Sequence, residues 1–235
     1  MIETIKRLIG YRKYGAFDRP DEIGRGISIV KKEQIESHYH ISGLPVGMIS
    51  TETKDQGRTN RCTAYALSKV VEIMATRRLK KMIFIDPNEL WQHQLETGAT
   101  EKGGDSLQNA VRQLVKYGAS FNDYDPSTGK KCIRRITFDG FSRIMPKDFD
   151  KWLEDGHPIF TGVTVYDDFV VNDIIDFDGK KMGGHAIPIV GGGTARYRIE
   201  NSWGDKFGID GTCLLNKEDS SRCMSSYVLI GMNIV

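Results

Sequence analysis

A polar, glycine-containing turn runs into a helical pattern at Cys62, and the side chains able to serve that thiol lie far downstream. The turn reads Lys54-Asp55-Gln56-Gly57-Arg58-Thr59-Asn60-Arg61-Cys62 and continues as Thr63-Ala64-Tyr65-Ala66. His185 is set in Gly183-Gly184-His185-Ala186-Ile187-Pro188, and Asn201 opens Asn201-Ser202-Trp203-Gly204. For these residues to meet, the start of a helix must face a part of the chain patterned as strands. That demand constrains the fold more than composition does.

The residue types suit the activation of a thiol. A Cys attacks carbonyl carbon usefully only as thiolate, and a free thiol is mostly protonated at neutral pH. At a helix start the positive end of the dipole favours ionisation. His185 can act as base and later protonate a leaving group. Asn201 can accept a hydrogen bond from the imidazole and fix its orientation. The Cys62 backbone N–H and the Gln56 side-chain amide can donate to a developing oxyanion.

The periodicity changes along the chain. A helix is expected from Cys62 to about Leu79, with Leu67, Val70, Val71 and Met74 at helical spacing and Arg77-Arg78 near its end. Asp86-Pro87 signals the start of a second helix carrying Leu90, Trp91 and Leu95. Ser106 caps a third, in which Leu107, Ala110, Val111, Leu114 and Val115 form one face and Gly118 ends it. The first half therefore reads as helical. After a short helix near 147–154, β-branched and aromatic runs at 158–165, 185–190, 195–200, 212–215 and 227–234 alternate with glycine turns. A helical lobe followed by a β lobe implies a cleft between them, where ligand sites favour sitting.

At 235 residues the chain can bury one large core or two small ones. A net charge of +2 with both signs abundant argues against a nucleic-acid partner held by bulk positive charge. The opening Met1-Ile2-Glu3-Thr4-Ile5-Lys6-Arg7 has no apolar core of signal-peptide length, and no later run approaches a membrane span. A cytoplasmic protein without membrane partners is the expectation. On that basis Cys62, Cys132, Cys213 and Cys223 are read as thiols, Cys213 as a small core residue, with a Cys213–Cys223 pair only for an exported chain. No His or Cys spacing resembles a zinc site, and no metal or cofactor is expected.

In three blocks the sequence resembles the papain family of cysteine peptidases: Gln56-Gly57 ahead of Cys62-Thr-Ala-Tyr-Ala, Gly184-His185-Ala186 before a strand, and Asn201-Ser202-Trp203-Gly204 before Phe207-Gly208 and Gly211. Gly103-Gly104 ahead of a helix is a fourth, weaker match. The resemblance spans roughly 44–235. It implies an α+β, papain-like two-lobed fold, with a helical lobe over about 44–138 and a β-barrel-like lobe over about 139–235. Cys62 would be nucleophile, His185 acid/base, Asn201 its orienter and Gln56 the oxyanion donor. Gly103 and Gly104 would bind the substrate backbone, Gly162 and Ala186 would wall an apolar pocket, and Trp203 would join the substrate-binding residues and shield the Asn–His hydrogen bond.

The chain departs from the family at several positions. Thr59 replaces a disulfide-forming Cys, Thr63 an aromatic, and Gly184 a polar residue. Asn60-Arg61 stands for Gly-Ser and puts a charge at the mouth, implying some preference for acidic residues nearby. Residues 1–43 fall outside the resemblance. They suit either a short propeptide lying in or near the cleft or a structural extension.

Taken singly, each site residue has a plainer reading: Cys62 as a buried thiol, His185 as a satisfied strand residue, Asn201 as a turn cap, Trp203 as core. Their combination favours a monomeric thiol protease acting on peptide or protein substrates. Rival readings are acyl transfer by the same triad and a non-catalytic binding protein on the same fold. His38, His40, His93 and His157 lack catalytic partners in sequence and are expected at the surface or in loops.

Overall fold

A computed structural model describes residues 16–17, 52–171 and 173–235. Most of the 1–43 segment, including His38 and His40, lies outside the described residues.

The expected helices form where their caps allow. Helix α1, Cys62–Leu79, is buried on nearly every side as far as Ala75 and ends at Lys80 in the left-handed region. A helix buried all round belongs inside a layered core rather than on its surface. Its polar members are paired: Glu72 takes the Lys54 ammonium at 2.8 Å and the Ile85 N–H at 2.8 Å. Helix α2, Pro87–Leu95, starts with Pro in its first turn, and the Asp86 carboxylate accepts from the Asn88 N–H. Helix α3, Leu107–Tyr117, is capped by Ser106, whose hydroxyl accepts from Asn109 N–H at 3.1 Å. Gly118 closes it at φ +72°, with the Ile136 carbonyl where a Cβ would sit.

The strands join into one large open sheet, giving a mixed α/β architecture. Strands β1, Ala16–Phe17, and β2, Asp105–Ser106, form a separate parallel pair. The nine others are β3 Ala119–Tyr124, β4 Lys131–Ile144, β5 Ile159–Tyr166, β6 Val170–Val171, β7 Ile174–Ile175, β8 Lys181–Gly192, β9 Arg196–Glu200, β10 Thr212–Asn216 and β11 Ser226–Ile234. They run in the order β3-β4-β11-β5-β8-β9-β10-β7-β6. A short 3₁₀ turn, Pro146–Asp148, leads into α4, Phe149–Glu154.

One expectation needs correcting. The stretch after α3 is not helical: β3 and β4 form a long hairpin joined to β11. Residues 131–135 of β4 alternate between exposed and half-buried positions, so this arm gives only a weak hydrophobic signal. Its stability comes from pairing with the distant β11, which no local pattern records.

Two apolar clusters flank β5 and β8. One gathers Cys62, Leu67, Val70, Leu107, Phe160 and Ala186 around α1 and α3. The other gathers Val163, Ile187, Trp203, Phe207 and Cys213. Both strands are buried on two faces, which explains their near-continuous apolar runs.

Candidate active site

The antiparallel pairing of β8 with β9 brings His185 and Asn201 together. His185 lies within β8, and Asn201 directly follows the last residue of β9. His185 Nε2 lies 2.8 Å from Asn201 Oδ1; because an amide oxygen can only accept, Nε2 carries the proton. That leaves Nδ1 as the nitrogen for proton exchange. The Trp203 ring lies 4.6 Å from the imidazole and packs on Phe169 and Phe207. Trp203 is only 1 % exposed, so it shields this pair and offers little surface to a substrate.

Gln56 is anchored to the same corner. Its N–H donates to the Ser202 carbonyl at 2.9 Å, and the Ser202 hydroxyl donates to Oε1 at 2.6 Å. Its Nε2 donates to Thr59 O at 2.9 Å, leaving a second amide proton on the same nitrogen. Ser202 N–H in turn donates to Asn201 Oδ1 at 2.7 Å. A continuous chain thus runs from Gln56 through Ser202 and Asn201 to His185. Ser202 was not singled out in the sequence; the Asn-Ser-Trp block carried it without revealing its partner.

Cys62 is the first residue of α1, and α1 packs against β8, the strand of His185. Cys62 and His185 are both 0 % exposed. None of the four cysteines forms a disulfide. Burial pushes the Cys223 thiol up to about 12 and Cys213 higher still; Cys213 is a buried core thiol, and Cys223 is half-buried beside that core.

The residues expected to line a cleft lie in two places, a loop before β2 and the β5–β8 pair. Gly103 and Gly104 form a tight loop in which Gly104 and Thr100 exchange backbone hydrogen bonds at 2.8 and 2.9 Å. Gly104 takes φ +80° and leads into β2. Gly162 and Ala186 are cross-strand partners on β5 and β8. A Cβ on Gly162 would lie 2.9 Å from both Leu107 Cδ1 and Met224 Sδ. A Cβ on Gly184 would lie 1.9 Å from the Ala16 carbonyl oxygen. The β1 backbone therefore passes directly over the residue preceding His185.

No family model and no curated protein matches the sequence. Solved structures do match. Xylellain, a cysteine protease from Xylella fastidiosa, is 20 % identical at a TM-score of 0.69, over 95 % of this chain and 97 % of that one. A procathepsin B from Trypanosoma congolense is 17 % identical at 0.67, over 98 % and 88 %. The proform of the ragweed pollen cysteine protease Amb a 11 is 19 % identical at 0.58, over 77 % and 63 %. The fold is that of the papain-like cysteine proteases.

Within this papain-like frame two expectations change. Arg61 is not a spare charge at the mouth: it pairs with Glu101 at 2.8 Å and donates to Asn88 Oδ1 at 2.8 Å. That commitment removes the basis in Arg61 for a preference for acidic substrate residues. His157 lies in the loop between α4 and β5, as one of the expected places allows, but it is not at the surface. It is buried, with Nδ1 donating to the Leu229 carbonyl at 3.1 Å and its ring edge-on to Trp152. Burial lowers its basicity, more than the carbonyl contact restores it. His93 is half-buried on α2, stacked on Tyr117 at 4.3 Å. Among the described residues no group of His, Cys, Asp and Glu could hold a metal ion.

Proposed function

We propose that this chain is a papain-like cysteine endopeptidase acting through a thioester acyl-enzyme. The observation that carries the reading is the hydrogen-bonded chain from Gln56 to His185, set beside the helix that begins at Cys62. The Cys62 thiolate attacks the scissile carbonyl, and the oxyanion is held by the Cys62 N–H and the remaining Gln56 amide proton. Collapse breaks the C–N bond as the His185 imidazolium protonates the departing amine. His185 then takes a proton from water, which hydrolyses the thioester and releases the acid and the thiol. Asn201 keeps the ring turned so that Nδ1 serves the sulfur. The cleft lies between two lobes, each built on one of the apolar clusters.

The N-terminal segment restrains this activity. Ala16–Phe17 pairs with Asp105–Ser106 beside Gly103-Gly104, and the Ala16 carbonyl sits against Gly184, next to the proposed base. A tethered segment needs little intrinsic affinity to block a cleft, because its effective concentration is on the order of millimolar.

The test compares the full chain with a form beginning near Leu44 on a fluorogenic peptide. Both are then treated with a thiol-directed epoxide. Hydrolysis that rises on truncation and vanishes on labelling of Cys62 supports both parts. A folded protein of either length that cuts no peptide and is not labelled at Cys62 refutes the peptidase. A truncated form no more active than the full chain refutes the inhibition alone.

A further inference from the structure

The loop leading to Gly103 and Gly104 is held by the two residues that precede the nucleophile. Asn60 is buried, and its Nδ2 donates to two successive carbonyls, Glu101 at 2.9 Å and Lys102 at 2.7 Å. Arg61 reaches the same loop through its side chain. Nη2 donates to Glu101 Oε1 at 2.8 Å, Nε to Oε2 at 3.4 Å, and Nη1 to Asn88 on α2. The indole N–H of fully buried Trp91 adds a third donor to Glu101, at 2.8 Å. Just beyond, Thr100 closes the loop by accepting from the Gly103 N–H at its hydroxyl and the Gly104 N–H at its carbonyl.

This cluster is poorly placed to stabilise the whole fold. The Glu101 side chain is half exposed, and ion pairs in water contribute little to global stability. It is well placed to fix geometry. A forked guanidinium on a carboxylate sets direction as well as distance, and a buried amide holding two consecutive carbonyls fixes a loop in one register. We infer that Asn60, Arg61 and Glu101 are positioning residues that lock the backbone edge at 103–106 to the turn carrying Cys62. Thiol and edge then keep one spacing as a peptide is laid down, where a misplacement of about 1 Å can cost about 100-fold in rate. The role in turnover rests on the peptidase reading; the mechanical link does not.

The test uses the full chain with Glu101→Ala and Glu101→Gln, the second keeping an acceptor for Trp91. Hydrogen exchange is followed at the Gly103 and Gly104 amides and along α1 and α3. Michaelis parameters are measured on a tripeptide amide and on an ester with a single residue before the cut. In Glu101→Ala, exchange at the two glycines should rise about 10-fold with the helices unchanged. KM for the tripeptide should rise about 10-fold at nearly constant kcat, while the ester is unaffected. Glu101→Gln should recover part of both effects. Unchanged exchange at Gly103 and Gly104, an equal rise through α1 and α3, or an equal KM change for both substrates overturns the proposal. If neither the full wild-type chain nor a form beginning near Leu44 cleaves either substrate but exchange rises locally, the peptidase reading fails and the link stands.

Discussion

Gln56 and Ser202 are joined by two hydrogen bonds across the fold: the Gln56 N–H donates to the Ser202 carbonyl at 2.9 Å, and the Ser202 hydroxyl donates to Gln56 Oε1 at 2.6 Å. The Thr59 carbonyl, which can only accept, fixes Nε2 as the end of the Gln56 amide turned toward the turn before Cys62, and Oε1 as the end that meets Ser202. Gln56→Ala should lower kcat by about 10- to 1000-fold, as expected for one oxyanion donor. Ser202→Ala should lower it less, because the donor survives and only its orientation is loosened. Steady-state kinetics on one peptide would check the order; a Ser202→Ala loss as large as that of Gln56→Ala contradicts it.

Replacing Cys62 by Ser should abolish peptide hydrolysis without lowering the melting temperature appreciably, since the change preserves volume. His185→Ala should come close to that loss. Asn201→Ala should retain more activity, because the base remains and only its orientation suffers. Turnover in Cys62→Ser comparable to wild type would rule out the nucleophile assignment.

Gly184→Ala should act through β1. An added methyl would meet the Ala16 carbonyl oxygen at 1.9 Å, and backbone cannot yield as a flexible side chain can. The variant full chain should release the Ala16–Phe17 strand and react faster than wild type with iodoacetamide at Cys62. In a form beginning near Leu44 the same substitution should leave the rate unchanged. An equal acceleration in both forms would mean the methyl acts on the site directly.

His157 should make the fold sensitive to acid. Burial holds its basicity below the ordinary value of 6.5, so the unfolded chain binds the proton more readily. Its stabilising contribution is therefore complete above pH 6.5 and is lost as pH falls through the lowered folded value. Melting temperatures between pH 5 and 8 should fall on the acid side in wild type, and His157→Gln should flatten that slope. An identical slope in the variant would assign the acid sensitivity to other groups.

Much of this was legible in the chain because it depended on neighbours in sequence. Asp86 and Ser106 cap helices through their own next residues, and Cys62 sits at a helix start because the Gln-Gly turn delivers it there. The candidate catalytic residues were readable for the same reason, each lying in a short block of distinctive composition. What the blocks could not give was their mutual geometry. The link of Gln56 to Ser202 and the 2.8 Å bond of His185 to Asn201 exist only once α1 has packed on β8 and β9 has paired beside it. The β3–β4 hairpin escaped the sequence because its partner is β11, at the far end of the chain. The pairing of Arg61 and the burial of His157 escaped the sequence for one shared reason. A charge or a ring in a sequence carries no sign of what will cover it, and both roles were fixed by residues brought in from elsewhere: Glu101 and Asn88 around the guanidinium, Leu229 and Trp152 around the imidazole. Local sequence determined the elements and the chemical groups; long-range packing decided which groups are buried, paired and aimed at one another, because burial and distance are properties of the folded chain alone.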